Sequence, residues 1–218
     1  MEGTEDGMVR SAIEAEGLGA DLVELRLDWL PGLSEVFIER VFRGLEAVSV
    51  PKIATVMPSA IFGKYGGSGE DRVRLLMKAS EFAEYVDVGF EMGDALMKKC
   101  LEGMEDEAAE PVISWHSQKM LSSAEIVTFV NSAPKRAVSK VVMPAGSQMD
   151  NLLALEACAS LEGRRRIVFC HGSLGVVSRV LCPLFGSEWA YAAAAKGREG
   201  APGQLDISTM RKLFEVLA

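Results

Sequence analysis

Lys140 interrupts an apolar run, residues 138–143, that Pro144 and Gly146 bring to an end. Such a run predicts a buried strand of a parallel sheet. Burying an ammonium group is costly unless it is paired or neutral, so a lysine in this place tends towards a lowered pKa. A neutral buried amine is the group that forms an imine with a ketone. The run alone leaves open a lysine that reaches solvent from the strand end or pairs with a carboxylate.

A charged triplet lies on the first predicted strand, where Glu24, Arg26 and Asp28 alternate with apolar residues. Alternation predicts that the three side chains point to one face of the sheet. Both faces of a parallel sheet are covered by helices, so these charges must pair internally or line a site. Two hypotheses follow: a site for substrate hydroxyl groups, and a structural ion-pair network.

The chain has two histidines, and His116 follows an apolar run at a predicted strand end. His171 ends a later strand in the same way. Either side chain could be a structural histidine with satisfied hydrogen bonds. Near a lysine amine, however, an imidazole is the group best suited to proton transfer at neutral pH, which favours a catalytic role for His116.

Two glycine-containing segments near the carboxyl end hold further candidates. Residues 171–180 form a turn from a strand into a helix that carries Ser178 and Arg179. This turn could hold a phosphate, or its arginine could face solvent. The loop at 197–206 places the amide of Gln204 before the last helix, which suggests either a flexible lid or a plain connection.

The elements that position these residues alternate along the chain. Predicted strands lie at 21–29, 52–58, 85–91, 111–117, 137–145, 165–172 and 187–195. Predicted helices lie near 7–18, 33–49, 69–84, 93–104, 122–132, 147–162, 174–184 and 206–217. This order indicates parallel strands with right-handed crossovers. Polar residues at strand ends throughout the chain favour a single (β/α)8 TIM-type barrel over residues 1–218 rather than an open sheet. The polar start, MEGTEDG, predicts an abbreviated or missing first strand.

Composition limits the classes of partner. The net charge of −8 disfavours nucleic acid and anionic membranes, which need an extended basic surface. No apolar run approaches the roughly 20 residues that cross a membrane, and the amino terminus lacks the pattern of a signal peptide. The four cysteines show no metal-binding spacing and are expected to be free core thiols. We therefore expect a cytoplasmic globular protein with a small-molecule substrate and no metal.

Several short motifs resemble those of the type I 3-dehydroquinate dehydratases in order and spacing. They are ELRLD at 24–28, SWH at 114–116, SKVVMP at 139–144, GxxGxxSR at 172–179, FGS at 185–187 and APGQ at 201–204. The resemblance covers roughly residues 8–218. It implies a (β/α)8 barrel, usually a homodimer, that removes water from 3-dehydroquinate to give 3-dehydroshikimate in aromatic amino acid biosynthesis, without a cofactor.

The resemblance also implies roles for individual residues. Lys140 is expected to form the Schiff base, and His116 is expected to act first as base and then as acid. Arg179 would bind the substrate carboxylate through a bidentate fork. The ring hydroxyl groups would be bound by Glu24, Arg26 and Gln204.

Several positions depart from the pattern of the family, and three of them bear on the expected site. Met57 replaces an arginine of a T-x-R motif, and Tyr65 replaces a glutamate that orients the catalytic histidine. Gly200 replaces a serine of the lid. Tyr65 offers a hydroxyl acceptor but no negative charge to stabilise an imidazolium. These changes describe a divergent member whose histidine partner is open.

Two other functions stay open from the sequence. The first is a catalytically impaired barrel that binds a quinate-like ligand without turning it over. The second is another lysine-imine enzyme, such as a class I aldolase, in which the turn at 172–179 would hold a sugar phosphate.

Overall fold

The computed structural model describes residues 3–105 and 107–217. The chain divides into two compact units between Val112 and Ile113. Within these residues, six strands alternate with helices along the chain.

The first unit begins with a helix and alternates helices with strands. Its elements are α1 (Glu5–Gly17), β1 (Val23–Arg26), α2 (Glu35–Gly44), β2 (Lys52–Thr55), α3 (Gly69–Ser80), β3 (Tyr85–Gly89), α4 (Asp94–Gly103) and the beginning of β4 (Glu110–His116). Short 3-10 turns at Leu27–Trp29 and Phe90–Met92 follow β1 and β3.

The second unit contains the end of β4 and continues the alternation. Its elements are α5 (Ser123–Ser132), β5 (Val138–Pro144), α6 (Gln148–Ala159), β6 (Arg166–His171), α7 (Val176–Leu181) and α8 (Ile207–Leu217). The 3-10 turns Ser173–Gly175 and Cys182–Phe185 flank α7.

Neighbouring strands within each unit pair in parallel. In the first unit β1 pairs with β2 and β2 with β3, so that Leu25 lies opposite Ala54. In the second unit β5 pairs with β6, and Lys140 lies opposite Ile167. Each crossover passes through a helix, as the alternating pattern predicted.

Hydroxyl side chains begin several helices. The backbone N–H of Gly7 donates to Thr4 Oγ1 at 3.1 Å before α1. Ser122 and Glu125 form a reciprocal capping box at the start of α5. These caps satisfy donors that the first turn of a helix leaves without partners, and they explain where the helices start.

The strand predicted at 187–195 is wrong, because the segment forms only an isolated bridge between Ala193 and Asp206. The segment starts along β6 with a hydrogen bond from Glu188 N–H to the Arg166 carbonyl, at 2.9 Å. The N–H of Val168 then donates to the Ser187 hydroxyl at 3.2 Å, so this N–H is not available for pairing with the backbone of the segment. A run of alanines, which have low strand propensity, follows.

Two predictions concern the amino-terminal side of the chain: an abbreviated or missing first strand, and three charged residues that alternate along one strand. The described chain passes from Gly3 directly into α1, so no strand precedes this helix from residue 3 onwards, whereas residues 1 and 2 lie outside the described part. The predicted alternation of the charged triplet holds only as far as Arg26. Beyond it the backbone turns into a 3-10 helix, and Asp28 is not on the strand.

The core of each unit is apolar and contains the cysteines. All four, Cys100, Cys158, Cys170 and Cys182, are buried free thiols, as the sequence predicted. Burial raises the pKa of Cys182 to about 12, which keeps this thiol protonated at neutral pH. Among the described residues, no helix has the length and apolar character needed to span a membrane.

Candidate active site

Lys140 lies in the middle of β5, where its residue is only 3% exposed. Its Nζ lies 4.7 Å from the ring centroid of Tyr191. The alternative in which Lys140 reaches solvent from the strand end is therefore excluded. Because paired residues of parallel strands share a face, Lys140 points to the same side as Ile167 and Phe169 of β6.

His116 is the last residue of β4 and is half-buried. The backbone N–H of the next residue, Ser117, donates to the carbonyl of Val142 at 2.8 Å. This bond places the end of β4 beside β5, two residues beyond Lys140. Both predicted catalytic residues thus lie on neighbouring segments of the second unit, His116 at the end of β4 and Lys140 within β5.

Arg179 lies in α7 and is 2% exposed, which excludes the alternative in which it faces solvent. Its Nε and Nη2 are buried and have no hydrogen-bond partner within residues 3–105 and 107–217. The guanidinium carbon lies 4.6 Å from the ring centroid of Phe169. Burial lowers the pKa of Arg179 to about 10, although nearby Cys182 and Tyr191 raise it in part. Unsatisfied buried donors are costly, and an anionic ligand would satisfy them.

Asn151 fixes the helix turn that carries Arg179. It is fully buried in α6, and its Oδ1 accepts hydrogen bonds from the Ser178 N–H at 3.0 Å and the Ser178 hydroxyl at 2.7 Å. Its Nδ2 donates to the carbonyl of Leu174 at 2.8 Å. The Cys170 N–H donates to Ser178 Oγ at 2.9 Å, which ties the same turn to β6. This network holds in place the backbone on the amino-terminal side of Arg179.

His171 ends β6 and is close enough to Arg179 to be affected by its charge. Burial is the main cause that lowers the pKa of His171 below its ordinary value of 6.5, and the Arg179 charge lowers it further. The imidazole is therefore neutral at neutral pH.

The loop at 197–206 is attached to the end of β6. The backbone N–H of Gly172 donates to the carbonyl of Pro202 at 3.0 Å. Gly203 has a φ of +79°, and a Cβ there would lie 2.2 Å from the Gly172 carbonyl oxygen, so only glycine fits. Within the loop, the Gly200 N–H donates to Gln204 Oε1 at 2.8 Å.

In the first unit, Arg26 and Asp28 form a bidentate pair, with Nε–Oδ1 and Nη2–Oδ2 distances of 2.8 Å. Burial lowers the pKa of Arg26, but the hydrogen bond and charge of Asp28 outweigh this effect, so the pKa lies above its ordinary value. Asp28 Oδ2 also accepts the N–H of Lys64 at 3.0 Å, and Arg26 Nη2 donates to the Phe62 carbonyl at 3.3 Å. The pair thus anchors the loop after β2.

The remaining predicted residues of the first unit lie near this pair. Glu24 Oε1 accepts the hydroxyl of Thr55 at 2.8 Å. Met57 is buried, and its carbonyl accepts the N–H of Tyr65 at 3.1 Å, which closes the loop between them. Burial raises the pKa of Tyr65 above its ordinary value of 10.0, and the Asp71 charge adds to this.

The structure adds residues that the sequence analysis did not single out. They are Asn151, Phe169 and Tyr191 in the second unit, and the buried Asp87 of β3 in the first. Asp87 interrupts an apolar strand just as Lys140 does, so the same signal could have found it. Asn151 gave no signal, because a polar residue in an amphipathic helix is usually exposed.

A lysine amine, an imidazole and a guanidinium within one unit can form an imine, transfer protons and bind an anion. In the described parts of the chain, no group of three or more His, Cys, Asp or Glu is arranged to hold a metal ion.

Comparison with known proteins gives a consistent family. A family model described as Type I 3-dehydroquinase matches residues 1–218. A 3-dehydroquinate dehydratase of Methanothermobacter thermautotrophicus is 31% identical over 216 residues, which are 98% of this chain and 93% of that protein. The enzyme of the same name from Syntrophobacter fumaroxidans is 32% identical over 229 residues, with 99% and 93% of the two chains covered.

Solved structures agree on the fold. The type I 3-dehydroquinate dehydratase of Clostridium difficile matches with a TM-score of 0.88 and 22% identity, covering 98% of this chain and 87% of that one. The 3-dehydroquinate dehydratase of Aquifex aeolicus matches with a TM-score of 0.83 and 22% identity, covering 97% and 94%. The predicted TIM-type α/β fold is thereby confirmed.

The neutral state of His171 is testable by NMR titration of the two imidazoles, with the signals assigned in a His116→Asn variant. We expect His171 to titrate below 6.5, and Arg179→Met to raise its pKa only partly, since burial persists. Because the folded-state pKa is lowered, the stability that neutral His171 contributes is full above 6.5 and is lost as pH falls through the folded-state value. A His171 pKa at or above 6.5 would contradict this assignment.

Proposed function

The chain belongs to the type I 3-dehydroquinase family, and on that premise we propose that Lys140 is its imine-forming residue. The family reaction is a carbon–oxygen lyase reaction of the shikimate pathway, in which water is removed from 3-dehydroquinate to give 3-dehydroshikimate. The observation that carries the assignment of residues is a buried lysine in the same unit as a buried guanidinium with two donors lacking hydrogen-bond partners in the described chain.

The proposed reaction begins when the neutral amine of Lys140 attacks the C3 ketone carbon and the resulting carbinolamine loses water. The protonated imine then withdraws electrons and acidifies the neighbouring C–H bond. His116 removes a C2 proton to give an enamine, and the imidazolium returns that proton to the departing C1 hydroxyl group as water. Hydrolysis of the remaining iminium releases the product ketone and restores the amine.

We assign the substrate carboxylate to Arg179. Two of its nitrogen atoms are buried and without hydrogen-bond partners in the described chain, and a carboxylate accepts two parallel hydrogen bonds from one guanidinium. The Asn151 and Ser178 network holds the helix turn in place before the ligand arrives. A prearranged donor pair of this kind fixes the substrate relative to the reacting groups.

We propose that Glu24, Arg26 and Gln204 bind ring hydroxyl groups. The Thr55 hydroxyl orients the Glu24 carboxylate, and Asp28 holds the Arg26 guanidinium in one plane. The Gln204 carbonyl oxygen accepts a hydrogen bond within its own loop, so the loop conformation and the direction of the amide are linked.

Two positions at which this chain departs from the family pattern favour a second candidate function, ligand binding with impaired turnover. Met57 is buried and its side chain has no charge, and Tyr65 offers no carboxylate. Gly200 lacks a side chain, but an added Cβ would lie 3.5 Å from Gln204 Oε1, which is ordinary contact, so this position does not itself constrain the loop. The first two changes are the ones expected to lower the rate.

We also propose that the protein is a single-domain, cytoplasmic homodimer. The family resemblance supports the dimer, and the buried free thiols suit a reducing compartment. We expect a sedimentation mass of twice the monomer mass and one cooperative unfolding transition. A monomer, or two separate transitions, would contradict the corresponding part of the proposal.

Borohydride trapping tests the imine. The protein is mixed with 3-dehydroquinate and reduced, and the intact mass and a peptide map are recorded. We expect a ligand-sized adduct on Lys140, its loss in Lys140→Met, and its retention in Lys119→Ala, a control at an exposed lysine. His116→Ala should still form the adduct, while turnover falls by about 10²- to 10⁴-fold.

The outcomes separate the candidate functions. Binding of 3-dehydroquinate without an adduct or turnover would indicate the impaired binding protein. An adduct with a sugar phosphate and inhibition by inorganic phosphate would indicate an aldolase-type lyase. Wild-type turnover in Lys140→Met would refute the mechanism.

Arg179→Met tests the carboxylate site. Loss of a charge-assisted bidentate contact should raise KM by about 10- to 150-fold with a smaller change in kcat, because the contact is present in ground and transition states alike. Removing a buried charge should at the same time raise the free energy of unfolding without ligand by about 1 kcal/mol or more. Arg179→Lys keeps the charge but loses the two-pronged hydrogen bonding, so its KM should lie between those of the wild type and Arg179→Met. An unchanged KM in Arg179→Met would rule out the assignment.

A further inference from the structure

Two aromatic rings connect the buried amine with the buried guanidinium. Lys140 Nζ lies 4.7 Å from the centroid of the Tyr191 ring. The Tyr191 and Phe169 ring centroids are 6.0 Å apart, at an angle of 46°. On the other side, the Arg179 guanidinium carbon lies 4.6 Å from the Phe169 ring. We call Tyr191 and Phe169 together the aromatic wall.

The backbone holds Tyr191 in this place. Two residues later, the N–H of Ala193 donates to the Leu205 carbonyl at 2.8 Å, and the Ala193 carbonyl accepts the N–H of Ile207 at 2.9 Å. This is the isolated bridge that replaces the predicted seventh strand. The bridge that replaces the strand therefore places the Tyr191 ring next to the Lys140 amine.

The ring face matters because the nitrogen of Lys140 is cationic twice in the proposed reaction, as the ammonium and as the iminium. An aromatic face attracts a cation through its quadrupole, and more strongly where water is excluded. Unlike a carboxylate, the ring does not take up a proton from the amine. It also leaves the nitrogen lone pair available to attack the ketone.

From this geometry we infer that Tyr191 is a positioning residue, whose ring face orients the Lys140 nitrogen and stabilises the iminium through which elimination proceeds. The inference rests on the proposed function. It concerns the ring and not the phenol hydroxyl, so a phenylalanine at this position is expected to be sufficient.

The test varies the ring quadrupole at nearly constant size. Residue 191 is replaced by phenylalanine and by its 4-fluoro, 3,5-difluoro and 3,4,5-trifluoro derivatives, which progressively weaken the negative ring face. The measured quantity is the single-turnover rate at which borohydride-trappable imine accumulates and decays to product. Tyr191→Leu provides a side chain without a ring face, and the same trifluoro residue at Phe42, which stacks on Phe82 in the first unit, is the matched control.

We expect Tyr191→Phe to keep the rate within about two-fold of wild type and each added fluorine to slow it. The total loss should be about 3- to 30-fold, with KM for 3-dehydroquinate changing less than kcat. A role in packing alone would give a flat series, because the fluorinated rings have similar shapes. The Phe42 control should leave the rate unchanged.

Each other outcome has a definite meaning. A flat fluorine series with a wild-type adduct on Lys140 would overturn the role of Tyr191 and leave the proposed function intact. A loss in Tyr191→Phe as large as in Tyr191→Leu would also overturn it, in favour of the hydroxyl. Absence of any adduct in the wild type would remove the proposed function and this inference with it. If Tyr191→Leu does not fold, the fluorine series decides the question without it.

Discussion

The cost of burying positive charge is the constraint on which the site depends. The second unit buries both an amine, Lys140, and a guanidinium, Arg179, at less than a twentieth of their full exposure. A buried charge without compensation is normally eliminated in favour of an apolar residue. Arg179 has two unsatisfied nitrogen atoms in the described chain, which an anionic ligand would satisfy, and the free protein gives up stability to keep them buried. The lowered pKa of Arg179, about 10, has burial as its main cause and expresses this cost directly.

Two buried arginines of this chain show opposite behaviour. Arg26 has a carboxylate partner on its own chain segment, Asp28, and its pKa lies above the ordinary value. Arg179 contacts a ring face and has two nitrogen atoms without hydrogen-bond partners in the described chain, and its pKa lies below. The direction of the shift therefore distinguishes an arginine that is paired with a carboxylate from one that is buried without such a partner in the described chain. This difference supports the proposed role of Arg179 in binding a carboxylate, whereas the observed contacts of Arg26 are structural.

The sequence predicted most elements because their patterns follow from local rules. Helix starts coincide with Ser and Thr caps, and β5 was evident from an apolar run with a proline at its end. The strand prediction at 187–195 failed where a side-chain hydrogen bond, from the Val168 N–H to Ser187 Oγ, takes the place of backbone pairing and a run of alanines follows. Such a bond joins residues far apart in the sequence, and no periodicity records it.

The charged members of the candidate site could be singled out from the sequence, whereas the residues that support them could not. Lys140 and Arg179 stand out because charge contrasts with an apolar context or lies in a glycine turn. Asn151 and Tyr191 do not, since an amide in a helix and an aromatic residue near alanines are ordinary. Their importance comes from what they contact after folding: a turn that carries the guanidinium, and the nitrogen of the amine.

The geometry of two glycines shows how far the loop at 197–206 keeps the family pattern. Gly203 is required, because its positive φ and its approach to the Gly172 carbonyl exclude any side chain. Gly200 has room for a Cβ, so the absent serine reflects a lost functional group and not a change of backbone. The loop at 197–206 thus keeps a backbone that holds Gln204 while lacking one hydroxyl group. The larger change lies in the first unit, at Met57. Its carbonyl accepts the N–H of Tyr65, which closes the loop between them, and its buried side chain is apolar where the family pattern has a charged arginine. Since the groups proposed for imine formation and carboxylate binding all lie in the second unit, this change is expected to affect how the substrate is held more than whether the imine can form.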